Sequence, residues 1–300
     1  QVDENVKAKY IAYQEKIAAE KEAAKKDSAN FLAAFLPQPL PAELIPSAAE
    51  LSAAVKANDA AIITLGRISG EFLDRTVDNF NLSAEEQKHI AQVSKAFKAA
   101  GKKVIVVLNI GGVIETQSWK NTPDAILLAW QAGQEGGNSV ADVLTGKQSP
   151  SGKLTMTWPN TFNDHKSSES FPRAEQFQVD FSTFMGKEAE EKAPVSTYDW
   201  TNYEEGIYVG YRWFETQKLA VSYPFGYGLS YTTFEYGNAN VMNDGKNITV
   251  TVDIKNTGKV AGKEVVELYV TAPSGKLDKP AQELKAYAKT KALNAGESQT

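Results

Sequence analysis

The stretch AAIITLGRISGEFLDR, residues 60–75, decides the fold. Its first seven residues form an uninterrupted apolar run, the pattern of a short strand buried on both faces. SGEFLDR follows at once and places two acids and an arginine just beyond the strand end. Ser69 and Gly70 let the backbone turn sharply off the strand. Asp74 and Arg75 are near enough in sequence to pair with each other, which leaves Glu71 free. Phe72 and Leu73 make the loop partly apolar, and desolvation of a carboxylate raises its pKa. A glutamate so placed suits general acid chemistry. The competing reading is a loop ion pair of Glu71 or Asp74 with Arg67 or Arg75. On spacing alone that pair is the commoner outcome.

On either side of this stretch the chain alternates between helix and strand patterns. SAAELSAAVKAND (47–59) precedes it as a short amphipathic helix. Ser83 and Glu86 make a capping box for a helix that ends at Gly101. KKVIVVLNIG (102–111) is a second buried strand and AILLAW (125–130) a third. Residues 134–144 read as a helix and KLTMTWP (153–159) as another strand. Strands alternating with helices predict a mostly parallel sheet with helices on both faces, an α/β sandwich. Such sheets carry functional loops at the carboxyl ends of their strands, where Glu71 lies.

Farther out the texture changes. Residues 3–35 are rich in Ala, Lys and Glu and predict a helix, stopped by the prolines of LPQPLPAELIP (36–46). Residues 160–203 are irregular and aromatic, and YEEGIYVGYRWFE (203–215) alternates like a strand. From about Leu229 short strands and turns recur as in a β-sandwich. The expected domains are therefore a helical lead and linker over 1–45, an α/β sandwich over 46–228 and an incomplete β-sandwich over 229–300.

Composition narrows the function. Two domains fit 300 residues, and 42% hydrophobic with 23% charged residues is ordinary for a globular chain. A net charge of −5 gives no footprint for nucleic acid. No apolar run is long enough to span a bilayer as a helix. With no cysteine, disulfides and thiolate-bound metals are excluded, and two histidines make a zinc site improbable. The glycines of LGRISG, NIGGVIE and AGQEGGNS match no phosphate-binding register, so tight turns and close packing explain them better. Nothing marks a nucleophile beside His89 or His165. Trp130 and Trp158 end apolar strands and read as core. Trp200 and Trp213 flank the tyrosine-rich segment and are candidates to lie near a ligand.

GRISGEFLDR, GKKVIVVLNIGGVIE, DAILLAWQAGQEGGNSVADVLTGKQSPSGKLTMTWP, EEGIYVGYRWFE and PFGYGLSYTTFEY stand in this order. Together they resemble the C-terminal part of family 3 glycoside hydrolases, especially the bacterial β-glucosidases. The resemblance covers the chain from about Pro39. It implies a (β/α)₈ barrel elsewhere, an α/β sandwich, and a fibronectin-III-like domain present here in part. It also implies that Glu71, in the family motif S-G-E-x-x-D-R, is the acid/base of retaining hydrolysis of terminal non-reducing β-D-glucosyl units. The nucleophile is then an aspartate of the barrel, with none in this chain, and no metal or cofactor is required. Ser69, Gly70, Asp74 and Arg75 would support the loop, and Phe72 and Trp200 would meet substrate. Phe72 replaces a glycine common in relatives and could wall an aglycone. Alternatives are a β-xylosidase or other exo-β-glycosidase of the same family, or a non-catalytic carbohydrate-binding module. The implied partners are the barrel segment, from the same precursor or a second chain, and a small β-glucoside or oligosaccharide. A homo-oligomer is left open. The start at Gln1 and the strand-like end NAGESQT suggest a piece of a longer polypeptide, inactive alone. A secreted or periplasmic location is expected ahead of a cytoplasmic one.

Overall fold

A computed structural model describes residues 2–25, 42–68, 75–169, 203–273 and 275–300. The chain divides into two compact units, residues 1–132 with 167–203, and residues 133–166 with 204–300.

In the first unit, α1 (Glu4–Lys25) and α2 (Ala48–Ala57) precede β1 (Ala60–Arg67). A short helix α3 (Val77–Phe80), α4 (Ala84–Ala99), β2 (Lys103–Ile110) and β3 (Ala125–Leu128) follow. The strands form a sheet in the order β1-β2-β3, parallel throughout. Ala60 pairs with Lys103 and Arg67 with Ile110, so β1 and β2 end together. Central β2 is buried on both faces, with Val106, Val107 and Leu108 consecutive in the core. In β1 burial alternates: Ile63, Leu65 and Arg67 are inside while Ile62 is 55% exposed. The expected burial of β1 on both faces thus holds for one face among the described residues.

Helix α4 packs on β1 and β2, and α2 packs on α4. Ile90, Val93 and Phe97 form its buried stripe, each contributing about 1.5–3 kcal/mol by leaving water. Its capping box is as expected: Glu86 N–H donates to Ser83 Oγ at 3.1 Å, and Ser83 N–H to Glu86 Oε2 at 2.8 Å. Gly101 ends it with φ +72°, a left-handed conformation that glycine adopts without a Cβ penalty.

The second unit contains α5 (Gly136–Leu144), β4 (Trp158–Pro159), α6 (Tyr211–Thr216) and β5 (Val221–Tyr223). Antiparallel ladders follow: β6 (Phe234–Tyr236), β7 (Asn240–Asn243), β8 (Ile248–Thr251), β9 (Ile254–Asn256), β10 (Val265–Val270), β11 (Glu283–Lys289) and β12 (Ser298–Gln299). They pair as β7-β8, β10-β11 and β12-β9-β6. Asn256, fully buried, holds this region together. Its Oδ1 accepts from Thr232 Oγ1 and Gly258 N–H, and its Nδ2 donates to Val260 O and Leu293 O. All four side-chain positions are used, which is what makes a buried amide tolerable.

Two expected strands differ. KLTMTWP does not extend the parallel sheet. Only Trp158–Pro159 is strand, antiparallel to β5, while Leu154 exchanges backbone bonds with Gly226 and Tyr227. YRWFET, expected as strand, is the helix α6. Gly210 opens it at φ +58° and Trp213 N–H donates to the Gly210 carbonyl. Phe214 is its buried contact. Alternation over so short a run does not separate one helical turn from a strand. No helix among the described residues is long and apolar enough to cross a membrane.

Candidate active site

The site candidate lies at the carboxyl ends of β1, β2 and β3, all in the first unit. Glu71 itself, with Ser69, Gly70, Phe72 and Asp74, lies outside the described residues, as does Trp200. The described residues on both sides of that loop fix its stems.

Arg67, the last residue of β1, is 6% exposed. A guanidinium has five N–H donors, and here five acceptors meet them. Nη1 donates to Glu86 Oε1 at 2.6 Å and to Gly66 O at 2.7 Å. Nη2 donates to Glu86 Oε2 at 2.7 Å and to Asn81 O at 3.3 Å. Nε donates to Asn79 O at 3.0 Å. Glu86, 5% exposed, is both cap of α4 and counter-ion of Arg67. The strand end, the α3 region and the start of α4 are thereby tied at one point. Arg67 has no donor left for an acid of the loop, which removes it from the ion-pair reading.

Arg75 emerges on the far side of the loop. Its Nε donates to Asn79 Oδ1 at 2.6 Å, Nη1 to Val113 O at 3.0 Å and Nη2 to Asn79 O at 3.3 Å. The Asn79 carbonyl therefore serves both arginines. Burial, then the charge of Arg67, holds the Arg75 pKa below its usual value.

The loop after β2 accepts Arg75 because it has no side chain there. A Cβ on Gly112 would stand 2.5 Å from Arg75 Nη1, and one on Gly111 2.9 Å from the Gln131 amide. Gln131 follows β3, so the side chains of Arg75 and Gln131, from the segments after β1 and β3, close over the glycine pair that follows β2. The reading of these glycines as close-packing devices is correct at these two positions. Trp130, just past β3, has φ +53° and is half-buried. A bulky residue in that conformation is an outlier, so Trp130 is not the ordinary core residue its place after an apolar strand implied. Trp119 and Trp158 are core, at 4% and 2% exposed.

His89, in α4, is buried with Nδ1 3.4 Å from Glu43 Oε2. His165, in the second unit, lies edge-on to Phe214, and burial lowers its pKa against the opposing pull of Asp164. Trp213 donates its indole N–H to Asp164 O at 2.9 Å.

Known proteins match this arrangement. The model of the glycosyl hydrolase family 3 C-terminal domain matches residues 6–211, and that of a fibronectin type III-like domain residues 264–300. The chain is 38% identical over 285 residues to beta-glucosidase A of Butyrivibrio fibrisolvens, covering 80% of this chain and 31% of that protein. It is 37% identical over 246 residues to an exo-alpha-(1->6)-L-arabinopyranosidase of Bifidobacterium longum, covering 81% and 28%. The solved structure of beta-glucosidase 3B from Thermotoga neapolitana in complex with glucose superposes with a TM-score of 0.82 at 43% identity, over 99% of this chain and 38% of that one. The chain thus spans about a third of the length of these relatives, and by sequence and fold it belongs to glycoside hydrolase family 3, of which it is a C-terminal part.

Proposed function

We propose that this chain supplies the general acid/base, Glu71, of a retaining β-glucosidase. One observation carries the reading. Both stems of the Glu71 loop are pinned, by the saturated Arg67 on one side and by Arg75 on the other. Fixed stems are what a loop needs if it is to present an acid/base at one place. The strand then delivers Glu71 to a nucleophile outside these residues, an aspartate of a (β/α)₈ barrel. The greater length of the relatives supports a barrel on the same polypeptide.

In the first step the aspartate attacks the anomeric carbon while protonated Glu71 gives its proton to the leaving oxygen. In the second, Glu71 takes a proton from water, and glucose leaves the covalent intermediate. This requires the two carboxyl groups about 5–5.5 Å apart. Phe72 would wall the aglycone, Trp200 would meet substrate, and Ser69, Gly70, Asp74 and Arg75 would hold the loop. The domain boundary is placed at residues 228 and 229, and a secreted or periplasmic setting fits the reading.

The test is aryl β-glucosidase activity of the complete protein, native against Glu71→Ala, with one good and one poor leaving group. The loss should be about 10²–10⁴-fold for the poor one and smaller for the good one. Equal activity in both proteins would remove Glu71 from the chemistry. A second reading, another exo-glycosidase specificity on the same acid/base, is favoured by the arabinopyranosidase among the relatives. Faster turnover of an aryl α-L-arabinopyranoside or β-xyloside than of the glucoside would select it.

A further inference from the structure

Asn79, in the short helix α3, is the residue on which both stems of the Glu71 loop converge. Its place follows from local rules. Thr76 caps α3, and Asn79 N–H donates to Thr76 Oγ1 at 3.2 Å and to Thr76 O at 3.1 Å. A helix of four residues has no partners of its own for its last carbonyls. The Asn79 carbonyl is therefore open, and it accepts from Arg67 Nε at 3.0 Å and from Arg75 Nη2 at 3.3 Å. The Phe80 carbonyl beside it accepts from Glu115 N–H at 2.8 Å, which ties the same turn to the segment after β2.

The Asn79 side chain adds a separate hold. Its Oδ1 accepts from Arg75 Nε at 2.6 Å. A guanidinium only donates, so the amide presents its oxygen there. With Nε held, Arg75 Nη1 reaches Val113 O at 3.0 Å, in a gap that a Cβ on Gly112 would close. Without the Oδ1 bond the guanidinium would keep only its two longer bonds, to the Asn79 and Val113 carbonyls. Arg67 differs, because its five donors are matched without the Asn79 side chain. Loss of that side chain therefore loosens the second stem and leaves the first intact.

We infer that Asn79 is a positioning residue for the glycosidase reaction, acting through Arg75 to set where the loop presents Glu71. The inference rests on the acid/base reading of Glu71.

The experiment compares kcat/KM of the complete protein on an alkyl β-glucoside and on a dinitrophenyl β-glucoside. This constant reports cleavage of the glycosidic bond, in which only the alkyl leaving group needs the proton of the acid. Asn79→Leu, similar in volume but with no acceptor, should lower kcat/KM about tenfold for the alkyl glucoside and less than about twofold for the activated one. Asn79→Asp keeps an acceptor for Arg75 Nε and should hold both constants within about twofold of native. Adding Asn79→Leu to Arg75→Lys should cost nothing further, since one residue acts through the other. Structural damage alone would lower both substrates alike. Equal losses on the two substrates, an Asn79→Asp variant as poor as Asn79→Leu, or losses that multiply in the double variant would each overturn the inference. Should Asn79→Leu fail to fold, Asn79→Gln, with its acceptor one methylene farther out, should show the same split, and equal losses there would overturn it too. Glu71→Ala measured alongside separates the two claims. A leaving-group split in Glu71→Ala with none in Asn79→Leu sinks the role of Asn79 alone. Equal activity of Glu71→Ala and the native protein sinks the acid/base assignment, and the role of Asn79 with it.

Discussion

Arg67 and Arg75 bracket the same loop, share the Asn79 carbonyl and differ in what they have left to give. Arg67 spends all five donors and sits against a buried carboxylate. Arg75 makes three bonds to Asn79 and Val113 and has its pKa lowered by burial and by Arg67. The first is scaffold, because nothing can be added to it. The second keeps two of its five donors unspent among the described residues. Carrying an arginine near an active site therefore says little until its donors are counted.

The largest way to break this contrast is Glu86→Gln. Removing one partner of a buried pair leaves an uncompensated charge, and a loss of about 3–5 kcal/mol is expected in denaturant unfolding. The double change Arg67→Met with Glu86→Leu should recover only part of it, because the Gly66 and Asn81 carbonyls lose the Arg67 donors and Asn79 keeps only that of Arg75. Full recovery would mean that Arg67 matters only as a charge.

Arg75→Lys should behave oppositely. Stability should change by less than about 1 kcal/mol, since only a partly buried set of bonds is exchanged. Activity of the complete protein on a poor leaving group should fall about tenfold, because an ammonium cannot reproduce the planar fork that spans Asn79 and Val113. Gly112→Ala should mimic it, since its Cβ would displace the Arg75 guanidinium tip. Gly101→Ala is the control. Space there is open but φ is +72°, so the expected cost is about 1 kcal/mol of stability with unchanged activity. Loss of activity in Gly101→Ala comparable to that in Gly112→Ala would dissolve the distinction between the two glycines.

The smallest effect concerns the surface of the first unit. The Glu50 carboxyl is pulled from 4.5 to about 2, first by Lys9, then by the Ser47 cap. A folded-state pKa below the unfolded value gives stability that is present above about pH 4.5 and lost as pH falls through about 2. Glu50→Gln should therefore flatten the acid limb of the melting curve in that window, modestly, because the pair is exposed. An unchanged acid limb would remove Glu50 from the acid response.

Much of the first unit was legible in the sequence. The apolar runs of β1 and β2, the Ser83–Glu86 box and the glycine stop at Gly101 are local signals, and each is found where expected. The pairing of Glu86 with Arg67 was not legible, because it joins residues 19 apart across a strand end and a helix cap. Helix α6 was misread because its aromatic residues alternate, and only the packing of Phe214 shows which period is in force. The strained backbone at Trp130 and Lys218 leaves no trace in residue order, since it is set by tertiary surroundings. The acid/base candidate came from resemblance, not from spacing, which alone favoured an ion pair. The saturation of Arg67 now closes one half of that alternative.

The central claim is that Glu71 moves the proton in both steps. Its most direct test is azide rescue of Glu71→Ala in the complete protein, with an activated aryl β-glucoside and product identification by NMR. The account predicts that azide restores turnover and yields β-glucosyl azide, because the small anion needs no general base to attack the covalent intermediate. An unrescued variant, or an α-configured azide, would contradict it.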